Sequence, residues 1–377
     1  MARLSVRAFR NLGDADLELP PQGMVLVGPN GHGKTSVLEA ALYLEVFRSF
    51  RGGRDRELVR FGEDGFRIEV ATEAGGAERR EVAGRQVGPW LPDASRKTVV
   101  AAGFDARTGE KRVTLDGLRA ERLADAIGVV RGVVLSPSDV GLATGGARVR
   151  RAFLDVLLSL AVPGYVGALG EYRRALRHRC HARGADVEDW EALLARAGAQ
   201  VAAERRAWAE RWAERYCGYC GEIGERLESG LRYASRATEG EDELAAALAR
   251  SRERDLARGT TSVGPHRDDL QLLLGARPLG VYGSAGQWRT AALALRLVAA
   301  DTLAALDGRA GGPPVICLDD VFAELDAERS ARLGALIEGL AARGSQVFAT
   351  VPREGELPAA VSALPRWRIQ DGAIEAA

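Results

Sequence analysis

The sequence predicts an α/β fold whose central sheet is assembled from both ends of the chain, with a helical arm inserted between them. Three observations predict it. An apolar run, MVLV at 24–27, leads into GPNGHGKT and then into helical spacing at Val37, Leu38, Ala41, Leu42 and Leu44. A second apolar run, VICL, ends on Asp319 and Asp320 near the other end of the chain. Between them, Val187 to Leu231 holds no proline and carries one continuous apolar stripe. Strands buried on both faces are apolar throughout, and a long periodic run without breakers is a helix.

Taken in order, RLSVRAF and DADLELP alternate apolar with polar residues and suit an antiparallel pair. MVLV is a buried strand, and residues 34–47 form the helix after it. FRIEVAT, ERREVAG, RKTVVAA and KRVTLDG have the texture of hairpin strands, and VRGVVL (130–135) is another buried strand closed by Ser136-Pro137. From 147 to 257 the texture is helical. Residues 164–183 place Tyr165, Leu169, Tyr172 and Leu176 on one face, Gly184 suits a stop, and Asp186 suits the cap of the next helix. That helix is expected to run from Val187 to Leu231 as a protruding arm. Trp208 and Trp212 would stack on bases or pack between arm helices; their helical spacing favours packing. The last part alternates again: strand DLQLLL, helix 285–306, strand VICL, helix 327–342, strand QVFAT and a hairpin, RWRIQ–DGAIEA. The expected division is 1–146 and 263–377 for the two parts of one domain and 147–262 for the inserted arm.

Composition bounds the function. A chain of 377 residues with 46% apolar and 28% charged residues is an ordinary globular protein with room for two or three cores. The formal net charge is +0, so no global field points to nucleic acid. Of the 52 basic residues only Lys34, Lys97 and Lys111 are lysines. That surplus of arginine is read as coding bias ahead of phosphate recognition. Cys180, Cys217, Cys220 and Cys317 are too scattered for a disulfide framework, which points to a reducing cytoplasm. Cys217 and Cys220, with Cys180 and His181, invite a zinc site. Antiparallel helices joined near Gly184 would hold Cys180 and Cys217 roughly 37 Å apart at 1.5 Å per residue, which argues against it. The N-terminus has no apolar signal region, and the longest uncharged stretch, 156–170, is too short for a membrane span.

Gly28–Thr35 fits G-x-x-x-x-G-K-[ST], after a strand and before a helix, the context that confirms a phosphate-binding loop. The glycines Gly28, Gly31 and Gly33 let backbone N–H groups turn inward as an anion nest, with the helix N-terminus behind them. Pro29, Asn30 and His32 complete the loop, His32 at a variable position. Lys34 would contact the β/γ-phosphates, Thr35 a magnesium ion, and Ser36 the α-phosphate. Such a loop ordinarily works with an aspartate on a neighbouring strand. Asp319, at the carboxyl end of VICL, suits magnesium, and Asp320 suits polarisation of the attacking water. Either carboxylate could instead cap the next helix. YGSAGQWRT (282–290), opening a helix, is a second anion site with Ser284, Gly286 and Gln287. One subunit has no need of two γ-phosphate cradles, so the second would serve another subunit's nucleotide.

GPNGHGKT, GSAGQ, DDVFAELD and the helical insertion together resemble the ABC/SMC-type P-loop ATPase heads. FRNLGDADLEL, RRAFLDVLLS and SVGPHRDDL narrow the resemblance to the RecF family of recombination-repair proteins, over about residues 3 to 351. It implies an ATP-driven homodimer that loads on single-stranded, gapped or junction DNA in the cytoplasm and slowly hydrolyses ATP with Mg2+. It also implies that RecR and RecO act with it to promote RecA assembly and the SOS response. By position, Lys34 and Thr35 match the Walker A residues, Asp319 and Asp320 the Walker B pair, and Ser284, Gly286 and Gln287 the signature. Glu324, Leu325 and Asp326 match the dimer-facing D-loop, and Arg10 and Asn11 lie near the nucleotide. Two features depart from the pattern. Asp320 stands where transporter-type ATPases usually carry glutamate, implying slow turnover, and Ala349-Thr350-Val351 offers no switch histidine. No Q-loop glutamine is placed; Pro137-Ser138-Asp139 occupies that region.

Other readings fit less well. A transporter subunit lacks a long insertion between loop and signature, a P-loop kinase lacks the signature, and a purely structural SMC-like protein needs a far longer arm. EYRRALRHRCHAR (171–183) would either grip a phosphate backbone or pair with the acids Asp186, Glu188, Asp189 and Glu191, and the charge count does not choose between them.

Overall fold

The computed structural model describes all residues except 73–80, 83–84, 87–97, 181–185, 236–239 and 307–311, and only the backbone of residues 81–82 and 85–86. The chain forms two compact units, Met1–Ser138 with Ala299–Ala377 and Asp139–Val298. The first unit draws residues from both ends of the chain. The second unit runs from Asp139 to Val298, where the sequence reading placed an arm at 147–262.

In the first unit, β1 (Arg3–Arg7), β2 (Ala15–Glu18), β3 (Gly23–Val27) and α1 (Lys34–Val46) come first. β4 (Gly65–Thr72), β5 (Thr98–Asp105), β6 (Lys111–Leu115) and β7 (Gly132–Leu135) follow. One sheet runs β2-β1-β4-β5-β6 with Leu118–Arg119 at its edge, all antiparallel. The expected strand ERREVAG lies largely outside the described residues.

The second unit holds α2 (Ala147–Ala161), α3 (Tyr165–Arg179), α4 (Asp186–Ile223), β8 (Ser229–Ala234), α5 (Glu241–Arg258) and β9 (Asp269–Leu274). The long helix stops at Ile223 instead of Leu231. Gly224 takes φ +120°, and the Glu225 N–H closes on the Cys220 carbonyl at 2.8 Å, a glycine-led helix stop. The apolar spacing that continues to Leu231 belongs to β8, where Leu231 pairs with Leu272 of β9. DLQLLL therefore lies in a separate three-stranded sheet with β8 and Arg277–Pro278, not in the α/β sheet. Trp208 is buried and meets the Phe153 ring edge-on at 6.2 Å, so it packs, whereas Trp212 is half-buried under Arg211.

α6 (Ala285–Ala304) leads back to β10 (Val315–Asp319), α7 (Ala327–Ala342), β11 (Val347–Val351), β12 (Arg366–Gln370) and β13 (Ala373–Ala376). The central sheet runs β7-β10-β11-β3-β12-β13 and is parallel except for the last pair. β3 and β10 are thus not neighbours, contrary to the sequence expectation: β11 lies between them. α1 is buried on every side, with Leu38 and Leu42 in one core with Ile68 and Val100 of the antiparallel sheet and Cys317 and Phe348 of the parallel one. Among the described residues no helix is long and apolar enough to cross a membrane.

Candidate functional site

The loop after β3 is shaped by close approach. A Cβ on Gly28 would stand 2.2 Å from the Ile369 carbonyl oxygen, and Gly33, at φ +111°, would set one 2.8 Å from Leu12. Only glycine fits both positions. Pro29, Asn30 and Gly31 are exposed at the rim. Lys34 is buried, and its Nζ donates to the Gly28 carbonyl at 2.7 Å, the Pro29 carbonyl at 3.2 Å and Asn30 Oδ1 at 3.1 Å. Asn11 Nδ2 donates to the Gly31 carbonyl at 2.9 Å, and Ser36 Oγ donates to Asn11 Oδ1 at 3.0 Å. His32 faces the final hairpin, its Nδ1 accepting the Asp371 N–H at 3.0 Å.

The carboxylates come from β10. Thr35 Oγ1 lies 2.8 Å and 3.0 Å from the two oxygens of Asp319, joining residues 284 positions apart. Burial raises the Asp319 carboxyl above its ordinary range, against the lowering effect of the Thr35 hydroxyl and the neighbouring Thr350. Thr350, on β11, accepts the Asp320 N–H at 2.9 Å and stands 3.1 Å from Asp319 Oδ1 and 3.2 Å from Asp320 Oδ1. Sequence reasoning named Thr350 only within a strand end lacking a switch histidine and gave it no role. Its signal was a hydroxyl inside the otherwise apolar buried strand VFATV. Asp320 stands at the N-cap of a short 3-10 helix, Val321–Glu324, without a side-chain cap bond, and α7 is capped by Asp326, which accepts the Arg329 N–H at 2.9 Å.

Arg10 is held by residues outside the Gly28–Thr35 loop. It forms a two-pronged pair with Glu39, Nε to Oε2 at 2.9 Å and Nη2 to Oε1 at 2.7 Å. Glu39 is fully buried on α1, with Ser49 and Arg51 also on its carboxylate. This second omission was also visible as an acid in the middle of an apolar helix.

In the second unit, exposed Ser284 opens α6. Its N–H donates to Gln287 Oε1 at 2.9 Å and its Oγ accepts the Gln287 N–H at 3.4 Å, a reciprocal cap with Gly286 between them. Of the arginines in 171–183, Arg179 is fully buried against Glu191 at 2.9 Å and Arg173 pairs with Asp155 at 2.8 Å. Arg174 and Arg177 are exposed, while His181 and Arg183 lie outside the described residues. Cys217 Sγ points at the Ser229 carbonyl, 2.8 Å away.

The family model of the RecF/RecN/SMC N-terminal domain matches residues 1–373. A protein of Roseiflexus castenholzii described as DNA replication and repair protein RecF is 36% identical over 99% of this chain and 98% of its own length. One of the same description from Geobacter sulfurreducens is 34% identical, over 92% and 91%. The solved structure of the recombination mediator protein RecF-ATP in the RecFOR pathway superposes with a TM-score of 0.85 and 27% identity, covering 100% of this chain and 96% of that one. An Smc head bound to the C-terminal winged-helix domain of ScpA shares the fold at a TM-score of 0.54 and 14% identity. The chain, with its SMC-type ATPase-head fold and loop-to-carboxylate site, belongs to the RecF family of DNA replication and repair proteins.

Proposed function

We propose that this chain is an ATP-controlled DNA-binding protein of recombinational repair and replication restart, which dimerises on ATP and hydrolyses it slowly. The observation that carries the reading is the 2.8 Å contact between Thr35 and Asp319, which joins loop and carboxylate into one polar site at the ends of parallel strands. The RecF-ATP structure that this chain resembles supports ATP as the nucleotide.

Lys34 exchanges the loop oxygens it now holds for phosphate oxygens, and the N–H groups ahead of α1 receive the remaining negative charge. The facing oxygens of Thr35 and Asp319 are the hard donor set that magnesium prefers, so the residues fit that ion. Magnesium, when bound there, neutralises charge on the transferring phosphoryl group. Asp320 accepts the proton of the attacking water. Ser284, Gly286 and Gln287 complete the nucleotide site of a second copy, and Asp326 lies on the D-loop that faces it. Gapped or junction DNA is the substrate surface, with RecR and RecO as partners in RecA loading.

Mixing two inactive variants tests this. A Lys34→Met subunit keeps a working signature and a Ser284→Arg subunit keeps a working loop. Partial recovery of ATPase activity on mixing is the expected result. Absence of recovery, with both variants folded, overturns the shared-site reading.

A further inference from the structure

Thr350 is buried at 3% exposure in a strand whose other members are apolar. A buried hydroxyl in such a position is costly unless its hydrogen bonds are used. Here they are. Its oxygen accepts the Asp320 N–H at 2.9 Å, and it has three acceptors for its single proton: Asp319 Oδ1 at 3.1 Å, Asp320 Oδ1 at 3.2 Å and the Leu318 carbonyl at 3.5 Å.

The three acceptors are not equivalent. Asp319 already faces the Thr35 hydroxyl at 2.8 Å and 3.0 Å. Among the described residues no side chain other than Thr350 donates to the Asp320 carboxylate. The backbone at Asp320 takes φ 49° and ψ 26°, a left-handed turn that is uncommon outside glycine, though aspartate tolerates it better than most residues. The N–H of that same residue is the one that Thr350 captures.

We propose that Thr350 is the positioning residue of Asp320. Accepting the Asp320 N–H holds the left-handed turn that takes the chain out of the strand direction, and the Thr350 proton holds the carboxylate in one rotamer. The strand between loop and carboxylate thereby supplies, with a hydroxyl, the alignment of the water-activating group. This rests on the reading of Asp320 as that group.

The test compares Thr350→Val, which keeps the shape and removes the hydroxyl, with Thr350→Ser, which keeps the hydroxyl and removes a methyl. Loss of a hydrogen bond to a charged group predicts that valine lowers kcat by about 10- to 100-fold, while KM for ATP stays within about threefold. Hydrogen exchange of the nucleotide-free protein supplies a second readout. The Asp320 amide should exchange faster in the valine variant and as in wild type in the serine variant, with serine recovering most of the lost rate. A packing role predicts the reverse order, valine tolerated and serine not, and that result overturns the proposal. Should valine prevent folding, serine decides: a rate about tenfold or more above that of Asp320→Asn supports the proposal, and a rate as low as that variant's overturns it. Asp320→Asn run in parallel separates the two ideas. A fast Asp320→Asn enzyme removes the underlying reading, whereas a slow one beside a fast Thr350→Val enzyme removes the Thr350 proposal alone.

Discussion

Two kinds of buried cation distinguish the two units. In the second unit Arg205, 3% exposed, reaches Asp155 at 2.6 Å, the Tyr165 hydroxyl at 3.1 Å and the Pro265 carbonyl at 2.8 Å. Arg179, with none of its surface exposed, has Glu191 at 2.9 Å and Asp255 at 3.5 Å. Each of these guanidinium groups is buried together with an anion. Lys34 in the first unit is as deeply buried, at 4%, yet its three partners are two carbonyls and an amide oxygen. It pairs with no carboxylate among the described residues. A charge held in low dielectric by neutral dipoles alone is under-compensated, and an incoming anion gains what the protein has not supplied. A structural cation arrives with its counter-ion; a ligand-binding cation is left short of one.

The contrast makes opposite predictions for stability. Arg205→Met takes the buried guanidinium from Asp155, the Tyr165 hydroxyl and the Pro265 carbonyl, leaving Asp155 with the exposed Arg173 as its only ion-pair cation among the described residues, so unfolding free energy should fall by about 2–3 kcal/mol. Replacing Asp155 by asparagine in the same chain should recover part of that loss. Lys34→Met removes a charge that has no counter-ion, so urea unfolding should shift by no more than about 1 kcal/mol. Its ATP affinity should nevertheless fall by at least about 10- to 100-fold, the worth of a charge-assisted contact. A Lys34→Met protein as unstable as Arg205→Met would erase the distinction between the two cations.

That distinction also marks what the sequence made legible. GPNGHGKT and VICLDD announced their own local structure, because an anion nest needs glycines at fixed offsets and a buried strand needs an apolar run. Their meeting across 284 positions followed from the same chemistry. What the sequence concealed depends on long-range packing. Nothing near Val347–Val351 says that this strand inserts between β3 and β10, so the contacts of Thr350 could not be foreseen. The basic stretch 171–183 looked evenly balanced between DNA and local pairing. Burial divides it residue by residue, committing Arg179 to Glu191 and leaving Arg174 exposed. The end of α4 was misjudged for a different reason: a spacing of four through Ile223, Leu227 and Leu231 outweighed Gly224, whose φ of +120° ends the helix.

Within the first unit the carboxylate pair allows a finer separation. Asp320→Asn keeps the shape and the N–H that Thr350 accepts, but the amide is no base. ATP affinity should therefore stay within about threefold, since no phosphate contact is removed, while turnover falls by about 10²- to 10⁴-fold, the usual contribution of a general base. Rapid-quench measurement of phosphate release against a fluorescence titration of binding checks both halves. An unchanged turnover would show that another group activates the water.

The smallest effect on the isolated chain is expected at Ser284, and that smallness is informative. Ser284 is exposed, and its cap is reciprocal with Gln287, the hydroxyl accepting a long contact of 3.4 Å. Ser284→Arg therefore removes one weak N-cap interaction, worth up to about 1 kcal/mol, and buries nothing new. The subunit's own loop is untouched, so monomer affinity for ATP should equal that of wild type within error. If α6 opens onto a second copy's nucleotide, the same change sets a bulky side chain where that copy's phosphate must sit. Sedimentation with ATP should then find wild-type chains as dimers and Ser284→Arg chains as monomers, at concentrations where both are saturated. A variant that dimerises with ATP as strongly as wild type would return Ser284 and Gln287 to the role their hydrogen bonds already fulfil, the capping of a helix.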